Sequence, residues 1–312
     1  MTPTQYSIAA RAIRKRWESL SKSFYFFTRS PIATVGLAIV VAYVLIAIFG
    51  PIILGGNPWK TTQYLGLVHG MYIYSIPQPP SSMFPFGTTF EGYDLFNGVI
   101  KGARVDLGVS ALVVLSGATI GTFLGSIAGY KGKIVGDVIM RVTDVFLSIP
   151  FLVLAIAFLV VLGRNLPIMV VALIVVWWPT YTRIVRGQVL SVRELKYVEA
   201  SVAAGSSAFR TVMRHVIPNS VYPIFVQISL DFGNVILTLA TLFFLGVGFA
   251  GYYTPEWGNL IGLATDLGGG IPAIHQYWWT VAIPGLAILI FVVSVNLLGD
   301  GLRDVMDPRL RR

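Results

Sequence analysis

The sequence predicts an all-α membrane protein that crosses the bilayer six times, and three observations support this fold class. Of the 312 residues, 55% are apolar and only 12% are charged, whereas soluble domains carry roughly 25% charged residues. The apolar residues form runs of about 20, which is the helix length that crosses a hydrocarbon core roughly 30 Å thick. Lys and Arg collect in alternate stretches between these runs. A soluble globular enzyme and a disordered chain are therefore both excluded.

The apolar runs define the six predicted transmembrane helices and their orientation. Nineteen of the 23 Lys and Arg residues fall in the N-terminal segment, the loops after the second and fourth helices, and the C-terminal tail. Cytoplasmic segments are enriched in Lys and Arg, so both termini are expected to be cytoplasmic. The first helix has the length of an anchor and is expected to be retained. The helices are placed near 32–54, 107–129, 138–162, 168–187, 224–250 and 279–299.

The predicted helices divide the chain into five parts. These are an amphipathic segment on the cytoplasmic membrane face (1–31), the first transmembrane helix (32–54), an external loop region (55–106), a five-helix core (107–299) and a cytoplasmic tail (300–312). The core includes a long cytoplasmic loop at 188–223. Another external segment, 251–278, has no Lys or Arg but many aromatic residues, Trp257 and Trp278 among them. These aromatics are interpreted either as an interfacial belt or as a contact surface for a partner or ligand.

Several functional classes are excluded by missing residue patterns. The sequence has no cysteine, so disulfides, thiolate catalysis and cysteine-ligated zinc are absent. The three histidines, His69, His215 and His275, are too far apart in sequence to suggest a metal site. No Gly-x4-Gly-Lys-Ser/Thr motif occurs, so no phosphate-cradling loop is predicted. The net charge of +9 is spread between apolar runs, which does not indicate a nucleic-acid module. The chain is therefore expected to be neither an enzyme nor a holder of a cofactor or metal.

A transporter without a nucleotide site draws its energy from a gradient or from a partner. A gradient-driven secondary transporter typically has paired intramembrane acids or visibly repeated halves, and neither is seen. Polar residues near the start of the fifth predicted helix are candidates for a translocation path or gate, since ionisable groups at membrane depth face a bundle interior or a cavity. Gating, subunit pairing and substrate contact all remain open for them. These residues are Gln227, Asp231, Asn234 and Thr238.

Glycines recur at every fourth position of the second predicted helix. Gly117, Gly121, Gly125 and Gly129 form one nearly continuous ridge, because an α-helix has 3.6 residues per turn. Such a ridge allows another helix to approach closely, so it predicts tight helix packing.

The loop after the fourth predicted helix contains two short predicted helices. Glu194–Ala204 consists of good helix formers, and Gly205 with the following serines supplies a helix stop and a new cap. The second short helix, Ala208–Val216, is expected to end at Pro218-Asn219. We call residues 194–219 the knob. It is expected to project into the cytosol with small side chains at its tip, which suits docking into a cleft of another protein.

The residue spacing in the knob resembles the EAA loop of ABC importer permeases. Glu199-Ala200-Ser201 is followed after three residues by Gly205, and Pro218 lies thirteen residues beyond that glycine. Ser replaces the usual Ala at the third position. Further stretches resemble the second permease of the dipeptide/oligopeptide/nickel branch, the OppC/DppC type. They are 86–104, 129–150, 244–248, 255–258 and 296–309, whereas 55–80 matches no pattern.

The resemblance implies a type I importer permease fold and a set of partners. These are a second homologous permease, two ABC ATPases that bind ATP and Mg²⁺, and an external substrate-binding protein, in a cell membrane. The cargo it implies is peptides, with oligosaccharides or nickel as variants. It also implies that the ATPases dock on the knob, with Glu199 as polar anchor (or as an internal partner of Lys196), Ala200 and Ser201 as packing surface, and Gly205 as hinge. The complete expected docking set is Glu199, Ala200, Ser201, Gly205, His215, Pro218 and Asn219.

Overall fold

The computed structural model describes residues 30–55, 77–89, 93–248, 254–266 and 275–306. The predicted amphipathic N-terminal segment, most of the unmatched 55–80 region and the end of the tail lie outside the described residues. Within the described ranges the secondary structure is helical, apart from one β-bridge between Thr88 and Asp94.

Five helices of the described chain are long and apolar enough to cross a membrane, and a bent pair of shorter helices forms a sixth span if counted as one. The described helices are α1 (Pro31–Leu54), α2 (Leu95–Lys131), α3 (Lys133–Ser148), α4 (Phe151–Leu162), α5 (Leu166–Arg193), α6 (Lys196–Ala203), α7 (Ala208–Thr211), a π-helical turn (Val212–Val216), α8 (Ile217–Ser220), α9 (Tyr222–Phe244), α10 (Trp257–Asp266) and α11 (Trp279–Met306). The five long apolar helices are α1, α2, α5, α9 and α11, and the bent pair is α3 and α4.

The expected continuous helix over 138–162 was wrong, because the chain bends by 88° between α3 and α4. Ile149 at the break is extended, with φ −93° and ψ 130°. Proline disfavours helical geometry in the preceding residue and provides no backbone N–H for the helix. Pro150 therefore ends α3 and starts a new helix in a different direction.

Helix α2 begins twelve residues before its predicted start at 107, so the expected loop over 55–106 was wrong from Leu95 onward. The Asp94 carboxylate caps the helix by accepting from the Phe96 N–H at 3.0 Å and from the Asn97 side chain at 2.9 Å. A hydropathy window misses this first part because it contains Lys101, Arg104 and Asp106. Helices α5 and α11 also run beyond their predicted ends, while α9 stops at Phe244 instead of residue 250.

Helices α2 and α5 make the most extensive helix–helix contact in the described chain. The glycine ridge of α2 lies against α5. A Cβ added at Gly125 would meet the Thr182 carbonyl oxygen at 2.6 Å, and one added at Gly129 would meet the Val189 Cβ at 2.7 Å. Gly117 and Gly121 similarly face Trp177 and Tyr181. Larger residues at these positions would force the two helices apart.

The segment 254–266 packs into the helix bundle and contributes buried core residues. The Trp257 indole is fully buried and donates to the Val99 carbonyl of α2 at 2.9 Å. Of the aromatics expected in an interfacial belt or contact surface, Trp257 is thus a core residue, whereas Trp278 is exposed. Tyr252 and Tyr253 lie outside the described residues. Helix α10 consequently fixes one end of α2, which also contacts α5 along its other half.

Candidate functional site

The knob is built from α6, α7, the π-helical turn and α8, and its two halves join at Gly205. Gly205 has a φ of +78°, a left-handed conformation that glycine adopts without the steric cost of a Cβ. The Ser207 hydroxyl caps α7 by accepting from the Arg210 N–H at 3.4 Å. The structure therefore has the helix stop and the new cap that the sequence predicts at this point.

Two residues of the Glu-Ala-Ser triplet are exposed, and the third is turned inward. Glu199 and Ala200 are exposed, whereas Ser201 is half-buried. The Ser201 hydroxyl lies 3.5 Å from the Thr211 hydroxyl, so it joins α6 to α7. Ser201 therefore helps to hold the knob together, in contrast to the open packing surface expected for it.

The expected end of the second short helix at Pro218-Asn219 was wrong, because both residues lie inside α8. Pro218 lies in the first turn of α8, which continues directly from the π-helical turn. The Asn219 amide donates to the His215 carbonyl at 2.6 Å, and the His215 ring lies 6.3 Å from the ring of Tyr197. His215 is half-buried, while Pro218 and Asn219 are exposed.

The knob also exposes large apolar side chains, which the sequence analysis missed when it expected a tip of small residues. Phe209 is 77% exposed, and Val202 and Met213 are both more than half exposed. Exposed apolar groups clustered on a polar element indicate an interaction surface. The available signal was the apolar residues themselves, which stand out in a loop that is otherwise polar.

The knob is fastened rigidly to the bundle. Val198 and Val216 are buried in the apolar cluster formed with α2, α5 and α9. The Arg193 guanidinium, at the end of α5, donates to the Gly129 carbonyl of α2 at 2.9 Å. Glu199 lines a recess of about 480 Å³ next to these anchors, and no ion pair joins it to Lys196 among the described residues. The base of the knob is thus in direct contact with the helices of the bundle.

Three of the four predicted path residues line one cavity of about 700 Å³. Asp231, Asn234 and Thr238 of α9 form its polar wall, and Gln227 contacts Asp231 from one turn away. The opposite wall is the bend between α3 and α4, together with α5. The sequence analysis missed this second wall, whose residues include Phe146, Ser148, Pro150, Phe151, Trp177 and Thr180.

A hydrogen-bond network orders the polar wall. Asp231 Oδ1 accepts from the Gln227 side-chain amide at 3.0 Å and from the Asn234 amide at 3.3 Å. The Thr238 hydroxyl donates to the Asn234 carbonyl at 2.8 Å. Asp231 is only 4% exposed, yet its side chain borders open space. The wall thus presents a carboxylate and an amide to any solute in the cavity, facing a largely apolar surface.

A bundle of spanning helices with a polar-walled cavity and an attached knob is the arrangement expected of a transport permease. The family described as "Binding-protein-dependent transport system inner membrane component" matches residues 121–312, and "N-terminal TM domain of oligopeptide transport permease C" matches residues 20–69. The chain therefore belongs to the binding-protein-dependent inner-membrane components. It is an OppC/DppC-type ABC permease of the cell membrane.

Similar proteins cover nearly the whole chain. The dipeptide transport system permease protein DppC of Alkalihalophilus pseudofirmus is 36% identical over 93% of this chain and 90% of its own length. The oligopeptide transport system permease protein OppC of Bacillus subtilis is 34% identical over 97% and 94%. Among solved structures, the inward-facing MetNI methionine ABC transporter matches with a TM-score of 0.54 at 19% identity, over 67% of this chain and 96% of that one. That likeness supports the fold alone.

Proposed function

We propose that this chain is one of two permease subunits of a peptide importer, and that two partner ATPases bind the knob and supply the energy. The observation that carries the proposal is the knob itself, which exposes apolar side chains while its base is buried in the bundle. The chain has no phosphate-cradling motif of its own, which fits ATP and Mg²⁺ being bound by the partners.

The knob has the properties required of a docking element. Phe209 and Met213 offer apolar area, and Glu199 offers an exposed charge elsewhere on the knob. Aromatic residues and Met are enriched in the buried centres of interfaces. Gly205 has no heavy atom within 4 Å of an added Cβ, so the space above it is free for a partner. Movement of a docked ATPase would displace α5 and α2 through Arg193 and Val198.

The cavity beside Asp231 has the chemistry of a peptide path. Amide and carboxylate groups on one wall can exchange hydrogen bonds with peptide amides and termini, while the apolar wall tolerates different side chains. Its volume falls within the usual range of small-molecule sites. Peptides as cargo are further supported by the names of the similar dipeptide and oligopeptide permeases. A second permease and an external binding protein would complete the path and deliver the substrate.

The test is Gly205→Glu, with Gly246→Glu as the matched control. Both glycines end a helix with positive φ, +78° and +68°, and neither has a heavy atom within 4 Å of an added Cβ. Both substitutions therefore cost about 1 kcal/mol of backbone strain, but only Gly205 lies in the knob. Co-purification of the ATPase subunits and substrate-stimulated ATP hydrolysis in proteoliposomes are measured. We expect Gly205→Glu to lose both and Gly246→Glu to retain both, with both variants inserted at wild-type level.

Two results would count against the proposal. Wild-type ATPase retention by Gly205→Glu would show that the knob is not the docking element. Equal losses in both variants would show that strain, rather than obstruction of a partner, causes the defect.

A further inference from the structure

An apolar groove of about 710 Å³ runs along the bundle between α1, α2, α9 and α11, away from the cavity beside Asp231. Each of the four helices contributes one stripe of residues at helical spacing. The α1 stripe, for example, is Val40, Val44, Ile48 and Ile52. The groove is separate from the proposed peptide path, because Asp231 and Asn234 line the other cavity.

Helix α1 contacts the bundle at both ends and also at its middle, where the Tyr43 hydroxyl donates to the Ala287 carbonyl of α11 at 2.9 Å, and the groove lies beside these contacts. Near one end, a Cβ added at Gly36 would meet the Leu297 Cβ of α11 at 3.0 Å, and near the other, Gly50 packs on Ile100 of α2. Between them, the stripe that begins at Val40 faces open space. The floor on α2 includes two small residues, Gly108 and Ala111, and a Cβ added at Gly108 has no heavy atom within 4 Å.

One cation lines this apolar surface. Arg104 of α2 is half-buried in the groove wall, and no hydrogen bond or ion pair of its side chain is found among the described residues. An unpaired guanidinium in an apolar membrane environment is costly, and its planar donors match a phosphate bidentately. The position therefore favours an anionic partner with a long apolar part.

We propose that this groove binds an anionic phospholipid, with its phosphate on Arg104 and an acyl chain along the stripes of α1 and α2. The Arg104 guanidinium distinguishes this occupant from an apolar helix of another subunit, because a phosphate accepts its hydrogen bonds and an apolar helix face offers no anion. The bound lipid would fill the gap between α1 and the rest of the bundle.

The test uses the full-length chain co-purified with its partner subunits in mild detergent. Equimolar phosphatidylglycerol and phosphatidylcholine are added, the complex is washed, and each retained lipid is quantified per chain by mass spectrometry. Arg104→Gln removes the charge. Gly108→Leu fills the groove floor, and Ala111→Met fills it one turn further along. Gly285→Leu is the control, because Gly285 also lies in a spanning helix without a heavy atom within 4 Å of an added Cβ, but outside the groove.

Wild type is expected to retain phosphatidylglycerol in preference to phosphatidylcholine. Arg104→Gln should lower phosphatidylglycerol retention about tenfold, the effect of losing a charge-assisted hydrogen-bond pair, and leave phosphatidylcholine unchanged. Both groove-filling variants should lower retention of both lipids, while Gly285→Leu should behave as wild type. The thermal midpoint of each complex is also measured without added lipid. A variant that retains less lipid but keeps the wild-type midpoint has not lost lipid through misfolding.

Three outcomes would overturn the proposal. The first is wild-type phosphatidylglycerol retention by both Gly108→Leu and Ala111→Met. The second is an equal loss of the two lipids in Arg104→Gln, because this result would show that Arg104 does not bind the anionic headgroup. The third is efficient cross-linking of Gly108→Cys, in this otherwise cysteine-free chain, to another subunit, which would make a protein helix the occupant. None of these results bears on ATPase docking at the knob.

Discussion

The chain buries carboxyl groups in two regions that differ in enclosure. In the first, Asp231 of α9 is nearly inaccessible but borders a cavity of about 700 Å³. In the second, Asp106 of α2 and Glu256 before α10 are both fully buried, and neither lines any of the cavities described above. Of the two regions, only the first borders one of the described cavities. Burial next to open space, rather than burial alone, is therefore what supports the proposed path at Asp231.

The sealed region is a joint between α2 and α10. Asp106 Oδ2 accepts from the Trp257 N–H at 3.2 Å, and Glu256 Oε2 accepts from the Asn259 N–H at 2.6 Å. Asp106 Oδ1 and Glu256 Oε1 are buried and have no hydrogen-bond donor among the described residues. Two ionised carboxylates are acceptors only, so we expect the two interacting carboxyls to share a proton. This proton is expected to stabilise the packing of α10 on α2.

The largest effect on stability is expected from truncating the sealed joint. Trp257→Ala removes a fully buried indole and its hydrogen bond to Val99, which should cost about 3–5 kcal/mol. Trp177→Ala is the comparison, because Trp177 already lines the open cavity and its loss enlarges existing space. We expect a clearly smaller decrease in the thermal midpoint for Trp177→Ala, measured on the purified complex. Equal decreases would remove the distinction between a sealed and an open region.

A smaller effect is expected in the pH dependence of the same joint. Glu256 lies outside the spanning helices, and burial raises the pKa of its carboxyl above the ordinary value. The folded state therefore binds this proton more tightly than the unfolded chain does. The bound proton stabilises the fold at low pH, and this contribution is lost as pH rises from about 4.3, the ordinary glutamate pKa, through the raised pKa. The thermal midpoint of the wild-type complex should decrease as the pH is raised from 5 to 8.

Glu256→Gln should flatten this dependence, because the glutamine amide donates to Asp106 at every pH. Its thermal midpoint at pH 8 is expected to exceed that of wild type. Glu194→Gln, at an exposed position, should retain the wild-type slope. A wild-type slope in Glu256→Gln would mean that the shared proton does not stabilise the joint.

Much of this architecture could be predicted from sequence because it depends on local patterns. Apolar runs predict the spans, and the four-residue glycine spacing predicts tight packing of α2 on another helix, which the structure identifies as α5. Gly205 with the following serine predicts the turn of the knob. The bend at Pro150 was missed because a hydropathy average does not register a single proline. The joint at Trp257 was missed for another reason: its partner Asp106 lies 151 residues away, and no local pattern relates the two.

The smallest effect on stability, with a large effect on transport, is expected from Asp231→Asn. Asparagine has nearly the same shape and keeps an oxygen that accepts from Gln227 and Asn234, so the thermal midpoint should change little. The substitution removes the negative charge from the cavity wall. Peptide uptake in proteoliposomes should fall about tenfold, as expected when a charge-assisted hydrogen bond of roughly 1.4 kcal/mol is lost.

Asp106→Asn is the matched control, since it makes the same chemical change in the sealed region. It should alter the pH dependence of stability and leave the uptake rate per folded complex at the wild-type level, because Asp106 lines none of the described cavities. The opposite result, normal uptake in Asp231→Asn and reduced uptake in Asp106→Asn, would place the path at the joint between α2 and α10. Normal uptake in both variants would mean that neither carboxyl contacts the cargo and that the cavity wall acts through shape alone.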